Sequence, residues 1–180
     1  MIEEEVILVD KKDQQIGTMA KLQVHIEGKF HRAFSVFIFN SSGELLLQQR
    51  AFDKYHSAGK WTNTCCSHPR PGEQTILAAK RRLKEEMVLE CDLYPVFRFS
   101  YRAEFDNGLI ENEYDHVYFG LSDVIPQPNP KEVADFRYTT MEELQSSLIH
   151  DNKNYTEWLK ICFKEVMAHY LKKNNKLINE

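Results

Sequence analysis

No stretch of the sequence approaches the ~18 consecutive apolar residues of a membrane-spanning helix, so neither a transmembrane segment nor a membrane partner is expected. Basic residues are not in excess: 23 Lys and Arg stand against 27 Asp and Glu, a net charge of −4. General nucleic-acid binding needs a basic surface, so that class is excluded. The chain begins M-I-E-E-E, where a signal peptide would be basic and then apolar. A cytoplasmic protein is the expectation. The cysteines are Cys65, Cys66, Cys91 and Cys162, without disulfide-framework spacing. Neighbouring Cα atoms are ~3.8 Å apart, below the ~4.4 Å at which disulfides begin. All four are read as thiols in a reducing compartment. H-x-x-x-H, C-x-x-C, internal repeats, low-complexity tracts and a flavin motif are also missing.

At 180 residues, 42% hydrophobic and 28% charged, the chain is globular. It is long enough for one domain with a real core. Strands are expected at 6–9, 34–39 and 44–50, the last two joined by the turn Asn40-Ser41-Ser42-Gly43. A polar turn at 10–15 leads to a segment, 16–24, that reads as helical, and a loop then runs through Gly28 to His31. Residues 50–60 form a basic loop. A helix is expected at 74–87, where Ile76, Ala79, Leu83 and Met87 make one apolar stripe. Further strands are expected at 96–104, 115–121 and near 136–138, with 105–114 between the first two as a connection turning at Asn107-Gly108. A helix at 140–148 carries a Thr140/Glu143 capping box. A last helix at 155–171 has a broad apolar face, and the residues after it look frayed. Strands and helices interleave, so the class is α/β or α+β, a mixed sheet between helices.

Chemistry concentrates in residues 61–69, W-T-N-T-C-C-S-H-P. In an extended segment Cys66 and His68 share a face, while Cys65 points away toward the core. Cys66 can be a buried inert thiol, a metal ligand, or an acid/base or nucleophile. His25, His31 and His68 lie near strand ends, and Glu111 and Glu113 are two apart. Three imidazoles and two carboxylates suit a divalent ion with mixed N and O ligands, such as Zn, Mn or Fe. Spacing alone equally allows surface histidines and a solvated turn.

Glu73, Arg81, Leu83, Glu85, Glu86 and Leu89 match G-x5-E-x7-R-E-U-x-E-E-x-G-U, with U aliphatic. The stretch resembles the Nudix box. Ser67 replaces its first Gly, Arg82 a Glu and Val88 its last Gly. The resemblance implies that Arg82 stands where the family's pyrophosphohydrolases have a metal ligand. A cation there opposes metal-activated water and suits diphosphate binding. A Nudix-like fold without Nudix hydrolysis follows.

Together with H-R-A-F-S-V-F-I-F (31–39), L-L-L-Q-Q-R (45–50) and I-E-N-E-Y (110–114), the chain resembles the type I isopentenyl diphosphate isomerases over residues 5–165. The resemblance implies a mixed sheet sandwiched between helices, and one catalytic domain over 1–180 with a short N-terminal extension and a C-terminal helix. It implies interconversion of isopentenyl and dimethylallyl diphosphate by proton addition and removal through a carbocation-like state. Cys66 and Glu113 match the catalytic pair, and Tyr101 a tyrosine beside the glutamate. His25, His31, His68, Glu111 and Glu113 match the ligands of one divalent metal, Mn²⁺ or Zn²⁺. Glu86 matches a ligand of a Mg²⁺ shared with the diphosphate. Lys21, Arg50, Lys54 and Arg82 match the diphosphate-binding cations, and Trp158 an aromatic over the isoprenoid. The substrate is a small isoprenoid diphosphate, no flavin is needed, and a monomer is expected. Two other readings stay open: a Nudix pyrophosphohydrolase acting on a nucleotide, and a non-catalytic zinc-binding module.

Overall fold

The structure, a computed structural model, describes residues 4–178. Its centre is β3 (His31–Phe39), nine residues long and almost entirely buried. Along one edge β3 runs parallel to β8 (Ile110–Leu121), with His31 opposite Glu113 and Phe39 opposite Leu121. Along the other edge it meets β6 (Cys65–Ser67) antiparallel, placing Ser35 opposite Cys66. At its ends it also touches β1 (Glu5–Val9) and β4 (Leu45–Arg50). β7 (Leu93–Glu104) pairs antiparallel with β8, and β4 carries β5 (Trp61–Thr62) and β9 (Val133–Thr139).

The two faces follow the strand period of two. Phe34, Val36 and Ile38 pack with Cys65, Leu83 and Met87 beneath α2 (Thr75–Met87). Phe37 and Phe39 pack on the other side with Val117 and Phe119, under Leu144 of α3 (Met141–His150) and Leu159, Phe163 and Val166 of α4 (Glu157–Ile178). The mixed sheet between helices is the expected architecture. The α3 capping box is formed, with Glu143 N–H donating to Thr140 Oγ1 at 3.1 Å and Thr140 N–H to Glu143 Oε2 at 3.0 Å. Each closes one otherwise unpaired helix-end donor.

Three expectations are corrected. Residues 16–24 are not one helix: β2 (Gln15–Ala20) pairs antiparallel with β1 before α1 (Lys21–Glu27) begins. Pairing of Met19 with Val6 and Thr18 with Ile7 outweighs the helical pattern. His25 therefore lies inside α1, and His31 opens β3 rather than closing a loop. The connection expected at 105–114 is shorter, because β8 already starts at Ile110 and carries both glutamates on the strand. The last helix does not fray at 172 but continues to Ile178, since no Gly or Pro interrupts it; residues 179–180 lie outside the described residues.

α2 ends at Val88, which holds φ 53° and ψ 39° and whose N–H bonds back to Lys84 O. This left-handed position favours glycine, and a β-branched residue is strained there. Val88 is half exposed, so little packing offsets the strain. Val88→Gly is expected to stabilise the fold by about 1 kcal/mol. The check is a higher urea midpoint at unchanged slope; a lower midpoint would contradict it.

Candidate active site

The strand carrying Cys66 is three residues long, too short for its ladder alone to hold it. Buried polar side chains around it complete the anchorage. Asn63 Nδ2 donates to Val36 O at 3.0 Å and Cys65 O at 2.9 Å. Asn63 Oδ1 accepts from Thr62 Oγ1 at 2.8 Å and Trp158 Nε1 at 3.1 Å. Thr64 Oγ1 donates to Leu46 O at 2.6 Å and accepts from Ile38 N–H at 2.9 Å. Thr62, Asn63 and Thr64 are all fully buried. Losing one partner strands the others away from water. Asn63→Ala is therefore expected to destabilise the protein by about 3 kcal/mol or more, read by denaturant unfolding; a loss under about 1 kcal/mol would contradict this role.

Beside β6 lies a cleft open to solvent. Every residue expected at the site lines it except His25 and His31, and those two are buried against His68. His25 Nδ1 faces Lys21 O at 2.6 Å, and His31 Nδ1 faces Lys29 O at 2.8 Å. Carbonyls only accept, so both Nδ1 atoms carry a proton, and each Nε2 is the ring atom left to face the cluster. His31 Nε2 is 3.1 Å from His68 Nε2 and 3.3 Å from Glu113 Oε1, while His68 Nε2 is 2.9 Å from the same oxygen. His25 Nε2 is buried with no partner. One donor atom from each of His25, His31, His68 and Glu113 falls within 4.8 Å of the others. Burial holds His25 below the usual imidazole range and His68 at about 3 despite Glu113 beside it. Three imidazoles and a carboxylate converging on one point, with an orphaned nitrogen, fit a divalent cation.

Tyr101 lies opposite Glu113 across β7 and β8. Its hydroxyl is 2.6 Å from Glu113 Oε2 and 3.0 Å from Glu111 Oε2, so two carboxylates compete for one proton. Burial opposes charge on both. At Glu113 the contacts with His31 and His68 outweigh burial and hold its carboxyl down; at Glu111 the charge of Glu113 adds to burial and pushes its carboxyl up. Burial also pushes the Cys66 thiol up, against the pull of Arg50, so it is held as a neutral thiol.

The far end of the cleft is cationic. Lys21, at the start of α1, pairs with Glu4 at 3.0 Å, and Lys54 pairs with Glu132. Arg82 on α2 donates to Glu85 Oε2 at 2.8 Å and Glu86 Oε1 at 2.6 Å. Glu86 is buried and also accepts from Gln48 Nε2 at 2.9 Å. Arg50 rests over the Trp158 ring at 5.3 Å. Glu73 stands apart from these groups. It takes a two-point bond from Arg81 at 2.7 and 2.8 Å and clasps the loop before α2 to the helix.

The family model described as NUDIX domain matches residues 29–159. The isopentenyl-diphosphate Delta-isomerase of Pectobacterium atrosepticum is 51% identical over 90% of this chain and 90% of its own length. That of Serratia proteamaculans is 46% identical over 96% of each. The chain belongs to the isopentenyl-diphosphate Delta-isomerase family. A crystal structure of DR0079 from Deinococcus radiodurans shares the fold, with a TM-score of 0.76 at 20% identity over 90% of this chain and 98% of that one. Among the described residues no helix is long and apolar enough to cross a membrane.

For this member of the isomerase family, sequence reasoning missed several groups in the cleft. His56 lines it, with Nε2 3.5 Å from Glu111 Oε1. Burial and Arg50 bring its imidazole down to about 2. Asp115 lines it too, accepting from Ser35 Oγ at 2.8 Å. The alternation Glu111, Glu113, Asp115 along one strand was the available signal for Asp115. His56 lies in a loop with no periodicity to place it. Metal-stripped protein given Mn²⁺ or Zn²⁺ at 100 times Kd is expected to gain about 2.7 kcal/mol of stability, seen as a rise in Tm. His31→Ala should remove that gain; an equal gain in the variant would exclude the cluster as its source.

Proposed function

We propose that this protein interconverts isopentenyl diphosphate and dimethylallyl diphosphate by moving protons on and off the carbon skeleton. The observation that carries the reading is that one cleft holds a neutral thiol, a carboxylate–tyrosine pair, an aromatic face and a cluster of cations. Cys66 and Glu113 come from β6 and β8, the strands on either edge of β3. The diphosphate is recognised by Lys21, Arg50, Lys54 and Arg82. Arg50 Nε and Arg82 Nε are buried donors without partners, and diphosphate oxygens supply acceptors for them. Glu86 would hold a Mg²⁺ together with the diphosphate, since a hard cation prefers such oxygens.

An isolated alkene is a weak base, so it needs a positioned acid. A proton enters the terminal methylene and gives a tertiary cation. A proton then leaves the neighbouring CH₂, and the double bond forms between those carbons. Cys66 and the Glu113–Tyr101 pair are the two proton-transfer groups, one giving and one taking. Each turnover leaves their protonation states exchanged, proton exchange with water at the open cleft after product leaves restores them, and the isomer has the same atoms as the substrate. Trp158 offers its ring face to the cation, and with substrate filling the cleft water would be kept from capturing it. His25, His31, His68, Glu111 and Glu113 would hold a divalent ion, Mn²⁺ or Zn²⁺ by donor type, whose charge tunes the acidity of the groups it touches.

The pyrophosphohydrolase reading is disfavoured by Arg82, which stands where the resemblance places a metal-binding glutamate and so removes one carboxylate from a hydrolytic metal site while putting a cation beside Glu85 and Glu86. Every group named comes from this chain, so the site needs no second subunit to complete it. The proposed enzyme is one catalytic domain, a monomer acting on a small diphosphate, without nucleic acid, membrane or flavin. A reducing cytoplasm keeps Cys66 as a thiol.

Purified protein with Mg²⁺ is expected to convert isopentenyl diphosphate to an acid-labile allylic diphosphate and to incorporate deuterium from D₂O. Cys66→Ser and Glu113→Gln should each lower kcat by about a hundred- to ten-thousandfold, while Cys65→Ser keeps most of it. A Cys66→Ala protein that binds metal but does not isomerise separates the enzyme from a zinc-binding module. No allylic product from fully metal-loaded protein would falsify the reading.

A further inference from the structure

His56 lies outside the ligand set that the family resemblance implies, yet its ring is packed into the metal cluster. Only 8% of the residue is exposed. Nε2 is 3.5 Å from Glu111 Oε1, and Nδ1 is buried without a hydrogen-bond partner. The ring centroid is 5.7 Å from that of His25. Donor atoms of His25, His56 and Glu111 all lie within 4.8 Å of one another. This triad and the set His25, His31, His68 and Glu113 share His25. The Nδ1 of His25 is committed to Lys21 O, so one atom, the orphaned Nε2, belongs to both groupings.

We propose that His56 is a ligand of the divalent cation held by this cluster. The proposal rests on the reading that the cluster holds a cation. It also explains what packing does not. Phe105 stacks on His56 at 4.9 Å and Tyr55 meets it edge-on at 4.6 Å, contacts that a phenyl ring would make as well. A phenyl ring would also leave no buried polar nitrogen unpaired. A hydrogen bond to Glu111 accounts poorly for the ring, because 3.5 Å is the outer limit of such a bond and Nδ1 gains nothing from it. A cation satisfies an imidazole nitrogen, and it draws Glu111, which is absent from the first grouping, into the same centre.

The consequence lies in the loop. His56 is two residues from Lys54, and its carbonyl accepts from Arg50 Nη2 at 3.2 Å. One short segment would therefore hold a metal ligand next to two groups proposed to bind the diphosphate. Cation binding then orders the loop that meets the charged end of the substrate.

The test is calorimetric titration of metal-stripped protein with Mn²⁺ and with Zn²⁺, for wild type, His56→Phe, His56→Ala and His31→Ala. Absorption spectra of the Co²⁺-substituted proteins report the ligand set without any turnover. A ligand role predicts that His56→Phe and His56→Ala both bind about ten- to a hundredfold more weakly and both change the Co²⁺ spectrum. Wild-type affinity and spectrum in His56→Phe, with weakening confined to His56→Ala, would mean that His56 only packs, and the proposal fails. If His56→Phe does not fold, an unchanged Co²⁺ spectrum in His56→Ala overturns the proposal by itself. His31→Ala separates the two levels. If it loses the metal while His56→Phe keeps it, the centre stands and His56 is not part of it; if His31→Ala also binds as wild type, the centre itself is lost.

Discussion

The carboxamide of Asn63 is bonded inside the protein at both ends, to Val36 and Cys65 carbonyls through its nitrogen and to Thr62 and Trp158 through its oxygen. Those four partners belong to β3, β6, β5 and α4. The amide therefore fixes the thiol-bearing strand relative to the central strand and to the aromatic over the cleft. A three-residue strand could otherwise slide or fray. With Thr64 bonded to both Leu46 and Ile38, the W-T-N-T segment is a polar bracket in an apolar setting. Each of its bonds is worth more for being buried, because no water replaces a lost partner.

From that bracket the geometry of the cleft follows by register. On β3 the residues His31, Ala33, Ser35, Phe37 and Phe39 share a face, and on β8 so do Glu111, Glu113, Asp115, Val117 and Phe119. Each face is polar at its start and apolar at its end. The apolar halves meet α3 and α4 in one core, and that burial fixes the register. The polar halves are then forced side by side at the other end, with His31 opposite Glu113. A slip of one residue would turn the phenylalanines to the wrong side and dissolve the cluster at the same moment. The apolar end of that face thus positions the acid–base chemistry at its polar end.

This logic also separates what the sequence made legible from what it did not. Cys66 and His68 on one face, Cys65 in the core, the two glutamates on one side and the α2 stripe all follow from periods of 2 or 3.6 and hold in three dimensions. The segment 16–24 does not, because its apolar residues pair with β1 through a hairpin, a long-range choice that local pattern cannot see. The end of α2 at Met87 was legible, and the box resemblance puts Val88 at a Gly position; what the sequence does not show is that Val88 keeps the glycine's left-handed conformation. His56 is the instructive miss. It reaches the cluster through an aperiodic loop, and only the tertiary placement of Phe105 and Trp158 around it turns its ring inward.

The charges around the cleft show why Arg50 has a special place. Lys21, Lys54 and Arg82 each have a carboxylate partner, in Glu4, Glu132, and Glu85 with Glu86. Among the described residues Arg50 has none. Its guanidinium bonds the His56 carbonyl, lies over the Trp158 ring at 5.3 Å and leaves Nε buried without a partner. An arriving diphosphate must compete with carboxylates for the other three cations, and the gain there is an exchange of one anion for another. At Arg50 it meets a charge with no anion to displace. That same guanidinium touches the aromatic face which, in the proposed reaction, must take up a carbocation. Drawing Arg50 toward the diphosphate would uncover the ring. Binding of the charged end would then prepare the site for the charge that develops on the carbon skeleton, an order of events that protects the cation until its surroundings are dry.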